Sequence, residues 1–268
     1  NKRITNMIKF IKELISSFKK DKPNITWFTD VPGLQDVMPI IPAKQHMPEW
    51  YKKLERKRPD RNHLETPHIT QQNKGTIRHC PAIPEYLSMG YVVPLWCDVW
   101  IYSDEKSWRY KIPTQRFKFT NHGNHQYKDL VPEHAKDFAF IFKPTCPWYV
   151  KTSPGWSVLQ LPVYYDFNQD FHTLPGVIRS DIHNQINQQM VIKRYGEVNL
   201  KRGTPVAQYI PIKREFIKDF ITYTTPSHKP ELYYGVESQR LNVQSKWFGG
   251  YNWLKTQKKD KEKCPFHK

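Results

Sequence analysis

Three side chains that could bind a metal ion lie near one another in the second half of the chain. Asp170 and His172 are two residues apart, and His183 follows eleven residues later. Ligands two apart on a β-strand point to the same face, and carboxylate with imidazole is a ligand set of iron-dependent oxygen chemistry. The pattern therefore allows a metal site in a β-barrel oxygenase, with chance pairing among 11 histidines as the alternative.

Motifs for nucleophilic or phosphate chemistry are missing from the sequence. It contains no Gly-x-Ser-x-Gly, no Walker loop and no Gly-x-Gly-x-x-Gly. The four cysteines, none in a Cys-x-x-Cys spacing, are Cys80, Cys97, Cys146 and Cys264. We expect reduced and buried thiols, and neither a zinc site nor a disulfide framework.

A longer pattern runs from residue 150 to residue 210. Its parts are KTSPGWS at 151–157, LPGVIRSD at 174–181 and GEVNLKRGTPVAQYI at 196–210. This order resembles the motif order of the dUTPase and dCTP-deaminase superfamily. The resemblance implies a β-clip fold and a nucleotide site, and the residues that it implies for the site are Ser153, Gly155, Gly176, Asp181 and Gln208.

Arg179 departs from the motif of that superfamily. The resemblance implies a carboxylate there that orients the attacking water, and only the second carboxylate is kept, as Asp181. An Arg side chain cannot accept a proton from water at any useful pH. We therefore expect negligible dUTP hydrolysis even if the fold is shared.

The composition predicts a folded protein around these residues. Of the 268 residues, 38% are hydrophobic and 14% aromatic, which is ample material for a core. No stretch reaches the roughly 18 apolar residues of a membrane span. The N-terminus shows no signal-peptide pattern, so we expect no secretion by a signal peptide.

The strands that must position the site are predicted from short apolar runs rich in β-branched and aromatic residues. These runs are 91–102, 108–112, 116–119, 138–142, 156–165, 190–193 and 205–212. Strands do not alternate with helices, which excludes a doubly wound nucleotide fold. We predict a mainly β fold with an antiparallel sandwich, barrel or β-clip-like core.

Four segments are predicted along the chain. Residues 1–22 form an amphipathic basic helix with a linker, suited to docking on a membrane surface or partner, or to packing on its own domain. Residues 23–79 form a Pro-rich wrapping segment. Residues 80–254 form the β-rich core, with a short helix at 214–222 after the last core strand. Residues 255–268 form a basic flexible tail.

A second resemblance is spread over more of the chain. Its segments are MPEWY at 47–51, RHCPAI at 78–83, GYVVPLW at 90–96, PWYVKT at 147–152 and KRGTPVAQYIP at 201–211. They resemble an uncharacterised protein family of marine tailed bacteriophages. The resemblance implies a viral origin, and a location in the virion or in the host cytoplasm during infection.

Three functions follow as hypotheses. The first is a non-enzymatic, oligomeric virion or assembly component that contacts itself or other virion proteins. The second is a nucleotide-binding or nucleotide-hydrolysing protein on a dUTPase-like fold, and the third is a metal-dependent oxygenase. The sequence specifies no cofactor. Its 42 Lys and Arg against 25 Asp and Glu, a net charge of +17, predict non-specific contact with nucleic acid.

Overall fold

The computed structural model describes residues 23–56, 76–115 and 118–215. The predicted N-terminal helix and basic tail lie outside these residues, as does most of the helix predicted over 214–222. The chain divides into two compact units. One combines Asn1–His46 with Met89–Lys218, and the other combines Met47–Ser88 with Asp219–Lys268.

The first unit contains the described strands, which are short and joined by turns. They are β1 (Ile25–Thr29), β2 (Ile41–Pro42), β3 (Tyr91–Pro94), β4 (Val99–Ser103), β5 (Trp108–Lys111), β6 (Thr120–His122), β7 (Phe140–Lys143), β8 (Thr145–Thr152), β9 (Trp156–Leu161), β10 (Phe171–Thr173), β11 (Gly176–Ile178), β12 (Gln185–Asn187), β13 (Met190–Ile192), β14 (Gly196–Leu200) and β15 (Pro205–Lys213). One short helix, α1 (Leu34–Val37), follows β1.

These strands form four antiparallel sheets. Their orders are β1-β8-β12, β10-β13-β7-β6, β11-β9-β15-β3-β2 and β14-β4-β5. The described strands do not close into a barrel, and the arrangement is that of a sandwich. The predicted mainly β, antiparallel fold class is therefore confirmed.

The strand pattern follows from the alternation of side chains. In β4 the side chains of Val99, Ile101 and Ser103 are buried, while Trp100 and Tyr102 are partly exposed on the other face. In contrast, β13 is buried at each of its three positions, because Met190 and Ile192 pack into the main core on one face and Val191 packs with Phe138 and Ile141 on the other.

Two predicted runs differ from the structure. Residues 91–102 form two strands, β3 and β4, because the chain leaves β3 at Leu95, whose N–H bonds to the carbonyl of Thr204 at 2.7 Å. Of the strand predicted at 116–119, the described residues 118 and 119 precede β6 and belong to no strand.

The main core lies between the sheets of the first unit. Fully buried side chains from different sheets meet there, including Ile101, Phe142, Val150, Val158 and Tyr209. Burial of a side chain of this size contributes about 1.5–3 kcal/mol, so this cluster is the main stabilising feature of the unit.

Gly90 allows a close approach at one edge of this core. Its φ is +69°, and a Cβ at this position would lie 2.0 Å from the carbonyl oxygen of Tyr209. Only glycine permits both the left-handed backbone and this contact. Gly90 therefore fixes how the chain enters β3 beside β15.

The second unit is described over residues 47–56 and 76–88. Its helices are α2 (Glu49–Lys53) and α3 (Ala82–Leu87), and its buried apolar side chains are Tyr51, Ile83 and Leu87. The guanidinium of Arg78 donates to the carbonyls of Lys52 and Leu54. None of the described helices has the length and apolar character that crossing a membrane requires.

Candidate functional site

A tight turn between β8 and β9 begins the site. Its ends are joined by the N–H of Trp156, which donates to the carbonyl of Ser153 at 3.1 Å. Pro154 and Gly155 are the two central residues, and the φ of Gly155 is +82°. A type II turn favours Pro first and requires a positive φ second, which glycine adopts without strain. The Pro-Gly pair therefore turns the backbone N–H of Gly155 toward Asp181.

Asp181 is held from two sides in what we call the Asp181 clasp, formed by Asp181, Arg214, Gly155 and Ser157. Arg214 donates from Nη1 to Oδ1 at 2.8 Å and from Nη2 to Oδ2 at 2.5 Å. The N–H of Gly155 donates to Oδ2 at 3.0 Å. Arg214 Nη1 also donates to the carbonyl of Trp156 at 2.7 Å and to Ser157 Oγ at 2.9 Å.

The clasp fixes the charge of its carboxylate. The Arg214 guanidinium lowers the pKa of Asp181 from 3.8 to about 2, and the Gly155 N–H contributes in the same direction, although burial opposes them. The pKa of Arg214 is raised by the same pair. The Asp181 side chain is 7% exposed and that of Arg214 25% exposed. Asp181 is therefore ionised at neutral pH, with both oxygens accepting hydrogen bonds.

Hydroxyl groups beside the clasp are also paired. Thr152 Oγ1 and Ser180 Oγ lie 2.7 Å apart, and both residues are buried. Ser153 Oγ accepts from the N–H of Asn24 at 2.9 Å and donates to Asn24 Oδ1 at 3.3 Å. Ser153, one of the residues predicted for the nucleotide site, thus joins the chain before β1 to the end of β8.

The structure divides the five residues predicted for nucleotide binding into two groups. Ser153, Gly155 and Asp181 meet at the β8–β9 turn. Gly176 lies opposite Gln160 in the β11–β9 pair, and Gln208 lies opposite Leu161 in the β15–β9 pair. Gly155 precedes the start of β9, and Gln160 is five residues further along, about 16 Å at the usual rise of a strand.

Gly176 and Gln208 differ from each other in their surroundings. Gly176 is exposed, with open space around its α-carbon. Gln208 is buried, and its Nε2 donates to the carbonyl of Met89 at 2.7 Å. Residues 176–187 do not form a hairpin, because β11 pairs with β9 whereas β12 pairs with β8.

The predicted metal ligands lie in three different settings. Asp170 Oδ1 accepts from Arg194 Nε at 3.0 Å and from Nη2 at 2.8 Å. His172 lies opposite Val191 in the β10–β13 pair, and burial followed by the charge of Lys193 lowers its pKa. His183 is exposed in the turn after Asp181. Among the described residues, no group of three His, Cys, Asp or Glu could hold a metal ion.

The described thiols do not form disulfides. Cys80 is exposed, whereas Cys97 and Cys146 are buried. Burial raises the pKa of Cys97 and of Cys146 to about 12. A thiolate nucleophile is therefore disfavoured at both buried positions near neutral pH.

Sequence reasoning missed the partner of Asp181. Arg214 is 33 residues away from it and stands at the end of β15, where the pattern predicted the start of a helix. A single basic residue after a strand is not a motif, so no local signal connects it to Asp181. The long-range pairing of β15 with β9 brings the two side chains together.

These observations define a mainly β protein of antiparallel sheets with a partly buried ion pair at one sheet junction. No family model matches the chain, and no curated protein matches it. Among solved structures, a native dUTPase of EIAV is similar with a TM-score of 0.29 and 11% identity, over 53% of this chain and 86% of that one. This is a weak structural similarity.

Proposed function

We propose that this protein is a non-catalytic component of a phage virion or of its assembly, and that it acts by contacting copies of itself or other proteins. The observation that carries the proposal is the Asp181 clasp. The carboxylate that the resemblance implied for a nucleotide site is held by contacts within the chain, because Arg214 and Gly155 donate hydrogen bonds to both of its oxygens.

Hydrolysis on the dUTPase pattern needs a carboxylate that can accept a proton from water. General bases work best with a pKa near the working pH. Asp181 has a pKa of about 2 and a side chain that is 7% exposed, so it neither reaches water freely nor holds a proton well. Two residues earlier, the exposed Arg179 stands where the superfamily motif has a carboxylate. Neither side chain is suited to activate water.

Exposed apolar side chains near the clasp support a contact with another protein. β11 is an edge strand of the five-stranded sheet as described, and Val177 on it is 55% exposed. Ile182, in the turn that follows, is 68% exposed. An exposed strand edge with apolar side chains favours pairing with another chain. The phage origin itself rests on the sequence resemblance described above.

Two measurements test the proposal together. Pyrophosphate release from dUTP and dCTP should be at background for the natural protein, and the mass by native mass spectrometry should exceed that of one chain. Val177→Lys should reduce the oligomer if the β11 edge carries the contact, whereas Lys151→Gln, on an exposed position of β8, should leave the mass unchanged.

Turnover of dUTP or dCTP would contradict the proposal if this chain, and not a contaminating enzyme, catalyses it. A contaminating hydrolase would be equally active in preparations of the natural protein and of Asp181→Asn. Turnover by the natural protein that Asp181→Asn abolishes would assign the reaction to this chain and overturn the non-catalytic function.

A further inference from the structure

Phe167 has a backbone conformation that residues of its kind rarely adopt. Its φ is 51° and its ψ is 39°, and in the described part of the chain it is the one non-glycine residue with positive φ. The left-handed conformation is unfavourable for a residue with a side chain. Gln169 Nε2 donates to the Phe167 carbonyl at 3.0 Å, and the Phe167 N–H bonds to the Tyr164 carbonyl at 3.2 Å.

The strained residue presents an exposed ring. Phe167 is 50% exposed and Tyr164 is 65% exposed, and their ring centroids are 6.2 Å apart. Exposure of aromatic ring surface to water is unfavourable, and the strained backbone of Phe167 adds to the free-energy cost. Strain of this kind is often retained where a ligand is bound.

These two rings border a cavity of about 440 Å³, which we call the Phe167 pocket. Its lining is mostly apolar and includes the residues Pro162, Val163 and Pro205. Small-molecule sites are clefts of about 300–1,000 Å³ with apolar walls and a few polar groups. The volume of this pocket suits a ligand of one or two rings.

The polar groups of the pocket carry one positive charge and no negative charge. Lys193 and His172 are among the lining residues, which include no Asp or Glu. Lys193 Nζ donates to the carbonyl of Asn168 at 2.6 Å, which leaves further N–H donors on the ammonium group. The nearby carboxylates are already paired, Asp170 with Arg194 and Asp166 with His46.

We propose that the Phe167 pocket binds a small planar aromatic molecule with one anionic group, the ring against Phe167 and Tyr164 and the anion at Lys193. Aromatic rings pack on each other in stacked or edge-to-face geometries, and an ammonium binds carboxylate, phosphate or sulfonate by charge-assisted hydrogen bonds. This binding function is separate from the proposed assembly function. The ligand could be a nucleoside monophosphate or an aromatic carboxylate, which share this chemistry.

The test uses two fluorescent probes of similar shape. 8-Anilinonaphthalene-1-sulfonate is an aromatic anion with a planar naphthalene ring, and N-phenyl-1-naphthylamine is its uncharged analogue. We expect the anion to bind at one site per chain with enhanced, blue-shifted fluorescence. Lys193→Gln keeps a hydrogen-bond donor but removes the charge. It should lower the affinity for the anionic probe about tenfold and change the affinity for the neutral probe less than twofold.

Three further variants locate the binding. Phe167→Gly, which also relieves the strain of the left-handed backbone, should lower the affinity for both probes at least fivefold. Tyr164→Ala removes a mostly exposed ring and should also lower the affinity for both probes. This variant replaces Phe167→Gly in the test if Phe167→Gly does not fold. Lys151→Gln, on an exposed face of β8, is the matched control and should change neither probe.

Competition identifies the source of the ligand. Displacement of the anionic probe by dTMP indicates a nucleotide, and displacement by indole-3-acetate indicates an aromatic carboxylate. Two results would overturn the proposal. One is no enhancement with the natural protein, and the other is enhancement that Lys193→Gln and Tyr164→Ala both leave unchanged.

Discussion

Replacing Asp181 by asparagine should destabilise the first unit, because it removes the charge that Arg214 contacts. Asparagine has nearly the same size, and its oxygen can still accept from the Gly155 N–H. Arg214 would keep its bonds to the Trp156 carbonyl and to Ser157 Oγ. The change therefore removes the ion pair while leaving the packing of the junction almost intact.

The magnitude follows from the pKa of Asp181. A fall from 3.8 to about 2 corresponds to about 2 kcal/mol of stability at neutral pH. The Arg214 side chain is 25% exposed, so water relieves part of its charge when the partner is lost. We expect Asp181→Asn to lose about 1–2 kcal/mol, because water also screens this partly exposed pair, or a fall in Tm of about 2–8 °C.

The pH dependence has a definite sign. The folded protein has the lower pKa, so the unfolded chain takes up the proton first as the pH falls. The contribution of the clasp is complete above about pH 5, falls to about half near pH 3 and is mostly lost near pH 2. The difference in stability between the natural protein and Asp181→Asn should shrink over the same range.

Urea unfolding followed by tryptophan fluorescence at pH 7 and at pH 3 measures both effects. Glu133→Gln is the matched control, because Glu133 pairs with Lys136 at 2.8 Å but its side chain is 89% exposed. That variant should have the same free energy of unfolding as the natural protein within experimental error, because water screens an exposed pair. The stabilising role of the Asp181–Arg214 ion pair would be contradicted by a loss of less than about 0.5 kcal/mol for Asp181→Asn at pH 7, or by an equal loss at both pH values.

Two other predictions concern glycines and thiols. Gly90→Ala should cost about 4 kcal/mol or more in urea unfolding, because its Cβ would overlap the Tyr209 carbonyl. Gly155→Ala has open space and only a positive φ to oppose it, so it should cost about 1–2 kcal/mol; the reverse order would contradict this account. In a Cys264→Ser chain, a disulfide reagent at pH 8 should modify Cys80 within minutes and the two buried thiols only after denaturation. Three rapidly reacting thiols would show that the described core is open.

Local sequence patterns predicted much of the β-structure. The runs at 108–112, 138–142, 190–193 and 205–212 overlap β5, β7, β13 and β15, because alternating or continuous β-branched and aromatic residues are a local property. β1 and the long β8 were missed. Each contains a tryptophan at an inward position, Trp27 and Trp148, but prolines nearby masked the strand pattern.

The alternation of aromatic and basic residues in β5 shows the limit of such patterns. The sequence does not say whether Trp108 and Tyr110 face solvent, as stacking on nucleic acid would need, or the core. In the structure both rings contact Phe142, with centroids 5.9 and 6.4 Å apart. Arg109 lies instead over Tyr102 of β4, with its guanidinium carbon 4.7 Å from the ring centroid. The register between β4 and β5 decides this arrangement.

The class of fold and the tight turn at Pro154 and Gly155 follow from the sequence alone, because both depend on the conformational preferences of neighbouring residues. The sequence also places an arginine at position 179, where the motif that residues 174–181 resemble has a carboxylate. Only the tertiary structure decided that Asp181 is bound by Arg214 and that Gly176 and Gln208 lie at the other end of β9. Those relations depend on which distant strands pair and in which register, and the pairing is set by burial of the whole core, which no short segment encodes.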